Sequence, residues 1–87
     1  MTVPLTLDHV PDHQACRITA IHPPAAAPEW ADWLHDLGFI PGERVVRMAR
    51  ALGGDPLVVR VGTSTFALRT AEAACVEVSL LTEASPA

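Results

Sequence analysis

Proline and glycine cut this chain into segments too short for anything but small elements. Pro23-Pro24, Pro41-Gly42, Gly53-Gly54-Asp55-Pro56 and Gly62 each stand between runs that alternate apolar with polar residues. Alternation with period two is the mark of half-buried strands, and turn-forming residues between such runs mark hairpins. The first run is Ala15 to Ile21, with Cys16, Ile18 and Ala20 on one side, Arg17 and Thr19 on the other, and His22-Pro23-Pro24 as its stop. Glu43 to Arg50 and Leu57 to Val61 read as an antiparallel pair joined by Gly53-Gly54-Asp55. Gly62-Thr63-Ser64 is a tight connection into Thr65 to Arg69, where Phe66 and Leu68 share a face. Thr70 is placed to cap a single turn ending at Ala73, and Cys75 to Ser79 forms a last strand with Val76 and Val78 inward and Glu77 outward. Leu5 to Val10, between Pro4 and Pro11, allows an extended approach followed by one helical turn, and the chain from Leu80 onward reads as a frayed tail.

One segment breaks the strand pattern. Pro28 suits the first position of a helix and Gly38 the left-handed residue beyond its end. Between them Trp30, Trp33, Leu34 and Leu37 follow i, i+3, i+4, i+7 spacing, opposite Glu29, Asp32 and Asp36. A helix of about ten residues is not stable alone in water, so the stripe must pack on a sheet. The bulk of the two indoles belongs to that core, and a partner-docking role for them is the secondary reading. Five short strands and a short helix in 87 residues predict one mainly β domain, with its core at about residues 5–80. A small SH3-like β-barrel, closed or nearly so, with one inserted short α-helix is the natural architecture.

Composition narrows the function. Lysine is absent and ten carboxylates outnumber six arginines, so the net charge of −4 opposes a nucleic-acid backbone. There is no apolar run long enough to enter a membrane and no basic-then-apolar order at Met1-Thr2-Val3-Pro4, which predicts a soluble cytoplasmic protein without direct membrane insertion. Cys16 and Cys75 are far apart and unaccompanied by a Cys-x-x-Cys pair, as expected for small buried hydrophobes in a reducing compartment. Ser64, Ser79 and Ser85 lack a nucleophile-elbow setting and Gly53-Gly54-Asp55 is not followed by a Gly-Lys-Ser/Thr, so no enzymatic site is predicted.

Two clusters remain as candidate sites. Asp8, His9, Asp12 and His13 bring two imidazoles and two carboxylates into six residues, a donor set suited to Zn²⁺ or Fe²⁺. Pro11 works against the continuous helix that would align them, and the plain alternative is a set of solvated polar side chains. His35 beside Asp32 and Asp36 reads as a surface ion pair. Leu37, Phe39 and Ile40 concentrate apolar bulk at a chain reversal, as a contact site would; the competing reading is that Phe39 and Ile40 close the barrel mouth.

Three ordered blocks carry a resemblance: Leu37-Gly38-Phe39-Ile40-Pro41-Gly42, Gly53-Gly54-Asp55-Pro56-Leu57, and Ala67-Leu68-Arg69-Thr70-Ala71-Glu72-Ala73. In this order and spacing the chain resembles FeoA, the small accessory protein of bacterial ferrous iron uptake. The resemblance implies an SH3-like barrel with the helix of residues 28–37 inserted between the first two strands. It also implies a cytosolic regulator that binds FeoB, a membrane transporter with a cytoplasmic GTPase region, with no required cofactor and with Zn or Fe(II) binding open. The second reading is a metal-responsive sensory module similar to the C-terminal barrel of DtxR-type iron-dependent repressors. A peptide-binding domain of signalling type is disfavoured by the absence of tyrosine. The chain departs from the family pattern at Asp12-His13, where a glycine turn is usual, and in the Pro- and Ala-rich stretch of residues 22–27. Gly54, Pro56, Leu68 and Arg69 are expected to act structurally, with Arg69 reaching a carboxylate such as Glu72.

Overall fold

Alternation does set the strands in the computed structural model, which describes residues 4–81. The elements run β1 (Ala15–Ile21), α1 (Trp30–Leu37), β2 (Arg44–Arg50), β3 (Leu57–Val61), β4 (Ser64–Leu68), α2 (Thr70–Ala73) and β5 (Val76–Leu80). Short 3₁₀ turns at Leu7–His9 and Leu52–Gly54 complete them. All pairings are antiparallel, in the order β4-β3-β2-β1-β5. Bulges between Ile18 and Ala20 on β1 and between Arg47 and Ala49 on β2 bend and twist those strands, giving a barrel-like sheet. The sheet is not closed: β4 and β5 are its two ends.

Inside the curve lie Cys16, Ile18, Val45, Leu57, Val59, Leu68 and Val76, all essentially inaccessible, joined by Leu7 and Val10 from the N-terminal turn and Leu34 from α1. Each large aliphatic side chain so buried contributes on the order of 2 kcal/mol of transfer free energy. β5 reaches one residue further than its pattern indicates, and Leu81 N–H donates to the Ala15 carbonyl at 2.9 Å. The chain is therefore still paired at residues 80 and 81, and the expected tail from residue 82 lies outside the described residues.

Helix α1 starts two residues later than the pattern predicts, because Pro24 to Pro28 form turns of their own: Ala27 N–H bonds to the Pro24 carbonyl and Trp30 N–H to the Ala27 carbonyl. It ends as expected at Gly38, whose φ of 111° lets its N–H reach the His35 carbonyl and hands Phe39 N–H to the Leu34 carbonyl. Of the apolar stripe, Leu34 is buried and Trp30 and Leu37 pack at the core's margin, whereas Trp33 remains 40% exposed. The expected core role holds for three of the four.

The N-terminal segment is fastened to β2 through Arg47. This side chain is 7% exposed; its Nε donates to Asp12 Oδ1 at 2.7 Å and its Nη1 to the Asp8 carbonyl at 3.0 Å. The Arg47 carbonyl in turn accepts the His13 N–H at 2.7 Å. The glycine-free turn is made by His13 itself, at φ 68°, a left-handed conformation that His adopts more readily than most side chains.

Cys16 and Cys75 are free and buried, as expected. Although β1 and β5 are neighbours in the sheet, the two thiols are not close. Register puts Cys16 opposite Leu80 and Ile21 opposite Val76, so Cys75 lies beside His22 at the far end of β1. At about 3.3 Å per residue that separates the thiols by roughly 20 Å. Burial pushes both thiols up from their ordinary value, with Glu72 and Asp8 adding to the effect at Cys75.

Candidate partner-binding site

The second and third sequence blocks, distant along the chain, meet at one place. In the loop after β2, Gly53 (φ 86°) and Gly54 (φ 89°) take left-handed conformations that only glycine adopts without strain, turning the chain so that Asp55 faces the start of α2. Asp55 Oδ1 accepts the Thr70 N–H at 2.8 Å and the Thr70 hydroxyl at 3.2 Å. Thr70 was expected to cap α2; instead it is the first helical residue and the cap comes from Asp55, fifteen positions earlier. Glu72 Oε1 accepts the backbone N–H of Arg69 at 2.8 Å. The expected guanidinium contact is thus replaced by a backbone one, and the Arg69 side chain is left without an ion pair among the described residues.

These residues form one wall of an open groove of about 500 Å³ lined by Trp33, Asp55, Pro56, Ala67, Arg69 and Glu72. Trp33 supplies an apolar wall and Arg69 a cation. Asp55 and Glu72 each accept hydrogen bonds from the frame through one carboxylate oxygen, so the lining presents two carboxylates and one guanidinium beside an apolar wall. It offers no nucleophile paired with a base.

The first block separates. Phe39 is fully buried, with its ring 5.9 Å from that of Phe66, centroid to centroid, at 50°. It belongs to the core, and its reading as a contact residue is corrected. Leu37 is half-buried against the core, and Ile40 is 37% exposed. Successive residues leaving a helix point to opposite sides, which is why neighbours in one apolar run have different fates.

The Asp8, His9, Asp12, His13 set does not assemble into a ligand shell. Asp12 is committed to Arg47, Asp8 accepts the Thr6 hydroxyl at 2.5 Å and lies 3.3 Å from His9 Nε2, and His13 is exposed. Among the described residues no group of three or more His, Cys, Asp or Glu side chains is placed to hold a metal ion. Elsewhere, on the outer face of β1 and β5, His22 Nε2 lies 2.7 Å from Glu77 Oε1, and Thr19 donates to Glu77 Oε2 at 2.9 Å. These two hydrogen bonds, that of His22 first, hold the Glu77 carboxyl below the usual carboxylate range. Nothing in the spacing of residues 19, 22 and 77 announces this cluster; only the β1–β5 register brings it together.

Residues 5–80 match the model of the FeoA domain family. The chain belongs to that family. Among solved structures it is similar to FeoA of Stenotrophomonas maltophilia, a procaryotic SH3 domain protein crystallised with zinc. That pair shares 38% identity over 86% of this chain and 89% of that one, with a TM-score of 0.79. Iron(II) transport protein A of Clostridium thermocellum is 28% identical over 88% of this chain and 46% of that one, with a TM-score of 0.76. A manganese-dependent transcriptional repressor, 19% identical over 93% of this chain and 45% of that one at a TM-score of 0.76, shares the fold alone. A search of curated proteins returned no match. FeoA family membership supports a role in ferrous iron transport and bears out the SH3-like fold. No helix among the described residues is long and apolar enough to cross a membrane.

Proposed function

We propose that this chain is a cytoplasmic accessory protein of bacterial ferrous iron uptake that binds FeoB through the groove between Trp33 and Arg69. The family match over residues 5–80 carries this reading. Support for the location comes from the groove's frame: the family-like Gly54-Asp55-Pro56 and Arg69 to Ala73 elements are tied to each other there by Asp55 and Thr70. Rigid elements presenting an exposed indole beside a guanidinium suit recognition, since Trp and Arg dominate the energetics of protein interfaces. The chain acts by binding, without a reaction of its own.

The Stenotrophomonas relative is complexed with zinc, and among the described residues of this chain no group of three or more His, Cys, Asp or Glu side chains is placed to hold a metal ion. A metal-sensing role like that of the repressors has only the shared fold in its support.

Calorimetric titration of this chain into the purified cytoplasmic GTPase region of FeoB tests the proposal. Trp33→Asp and Arg69→Glu should each weaken binding at least tenfold while leaving the thermal midpoint nearly unchanged. Absence of binding by the parent chain would end the transporter reading, and equal binding by both variants would remove the groove from it.

A further inference from the structure

The two ends of the sheet are treated differently. Along β5, the Val78 N–H donates to the Leu5 carbonyl at 2.9 Å and Thr6 bridges to Glu77, so the N-terminal segment covers that edge. β4 has no such cover among the described residues. The two-residue turn Gly62-Thr63 sets its register, with Val61 opposite Ser64, Val59 opposite Phe66 and Leu57 opposite Leu68. In a hairpin of this kind the pairs flanking the turn exchange both backbone bonds, and hydrogen-bonded and non-bonded pairs then alternate. Ser64, Phe66 and Leu68 therefore bond to β3, while the N–H and C=O groups of Thr65 and Ala67 point away from the sheet.

Two outward residues flanking one inward residue make an edge complementary to itself. An antiparallel bonded pair forms where opposed residues turn their backbone groups toward each other. When two copies of β4 meet across a twofold axis through Phe66, Thr65 of each stands opposite Ala67 of the other, and every outward donor and acceptor of both strands is satisfied. An axis through Thr65 or Ala67 instead pairs that residue with its own copy and leaves the other outward residue without a counterpart in β4. An axis between residues sets outward groups against inward ones.

The side chains fit the same register. Exposed edges are ordinarily guarded by charge, proline or a covering segment, and Ser64-Thr65-Phe66-Ala67-Leu68 contains neither a charged residue nor a proline. No like charges oppose each other within the paired stretch, and Arg69, the first charged residue beyond it, falls opposite Thr63 of the other copy. Phe66, half-buried in the single chain, meets its own copy at the axis as a non-bonded pair, the kind whose side chains approach most closely and where aromatic pairs are favourable. The adjoining groove, with two carboxylates and one guanidinium, selects no foreign segment by charge; self-pairing needs only what β4 carries.

We propose that two copies of this chain associate through their β4 edges, antiparallel about a twofold axis at Phe66, so that their sheets become one. Such an interface is isologous and closed, and it ends at the dimer. It is short, and so belongs to the weak, transient class. Its backbone bonds involve neither Trp33 nor Arg69, and it does not depend on the transporter reading.

Sedimentation equilibrium and residue-resolved amide hydrogen exchange on the isotope-labelled chain test this between about 10 μM and about 1 mM, the span over which a weak association becomes populated. The mass should rise from monomer toward dimer. In step with it the Thr65 and Ala67 amides should slow by about threefold or more, while those of Ser64, Phe66 and Leu68, already bonded to β3, keep their rates. Ala67→Pro removes an outward donor that β3 does not use and should hold the mass near the monomer value. Thr65→Lys, which charges the edge without altering the backbone, should do the same and serves if the proline variant does not fold. A monomer mass across the whole range overturns the proposal, as does a dimer that both variants retain or in which the Thr65 and Ala67 amides keep their dilute rates. Protection of these amides that appears only on adding the cytoplasmic region of FeoB would assign the edge to the transporter and overturn it as well.

Discussion

Replacing Phe39 by Ala separates a core residue from a contact residue, the two roles its sequence context allows. The ring is fully buried and tilts against Phe66 at 5.9 Å. Truncating such a phenylalanine costs about 3–5 kcal/mol through lost transfer energy and the cavity left behind. Of that, about 0.5–1.5 kcal/mol belongs to the aromatic pair. A domain of 87 residues has a total stability of about 4–13 kcal/mol by the usual per-residue figure. Phe39→Ala therefore removes a large part of it, and at about 4–8 °C per kcal/mol for a domain of this size the melting temperature should fall by about 12 °C or more. Urea unfolding followed by far-ultraviolet circular dichroism measures the loss directly. Should the Ala variant be too unfolded for a baseline, Phe39→Leu, at about 1.5 kcal/mol or less, keeps the comparison open. Ile40→Ala, at a position 37% exposed, should cost only about 1 kcal/mol. If Phe39→Ala loses less than about 1 kcal/mol, or if Ile40→Ala loses as much as Phe39→Ala, the assignment of Phe39 to the core is wrong.

Asp55→Ala deletes the acceptor for both donors of Thr70 and should cost about 1 kcal/mol, as for loss of a helix cap; an unchanged urea midpoint would show that the contact contributes nothing. His22→Ala removes the main hydrogen bond holding the Glu77 carboxyl low, so the Glu77 titration followed by carboxyl carbon NMR should move upward toward the ordinary value. The sign is fixed by that lowering: the stabilising contribution of Glu77 is present above its unfolded-state pKa and fades as pH falls through its lower folded-state value. An unmoved Glu77 titration in the variant would refute the pairing.

Strands were legible because their signal is local. Ala15–Ile21 and Leu57–Val61 can be bounded from alternation and flanking turn residues alone, and the structure has the same limits. What the sequence hid depends on partners far along the chain. Asp12 looks like a ligand beside His9 and His13, yet it faces Arg47, thirty-five positions away. That arginine's valine-rich strand gave no sign that its side chain turns inward to become a buried cation. An opposite charge and a further hydrogen-bond acceptor are what such a buried group needs, and the N-terminal segment supplies them in the Asp12 carboxylate and the Asp8 carbonyl. Trp33 was misplaced for a related reason: helical spacing defines an arc but not its centre, and with Leu34 at the centre the indole falls at the rim. The separation of Cys16 from Cys75 followed from register, which no local pattern near either cysteine reveals.

The same division explains why the candidate site was legible in its parts and not as a site. Gly54, Asp55, Thr70 and Glu72 each serve the backbone: a left-handed turn, a distant cap, a first helical residue and a bond to the Arg69 amide. Residues with structural duties of this kind read as structural, and the expectation that they are so is correct. Their combined effect is nevertheless positional, because they lock the β2–β3 loop onto α2. The lock fixes where the Arg69 backbone stands relative to Trp33 across the groove. A recognition surface gains from such a frame, since a backbone already held in place loses less entropy on binding. The pair we propose as the partner contact is then the pair whose side chains have no structural task, Trp33 at the rim of its helix and Arg69 beyond the end of its strand. The sequence marks Trp33 as part of a core stripe and Arg69 as a structural residue, and their pairing across one groove appears only when the loop and α2 are brought together.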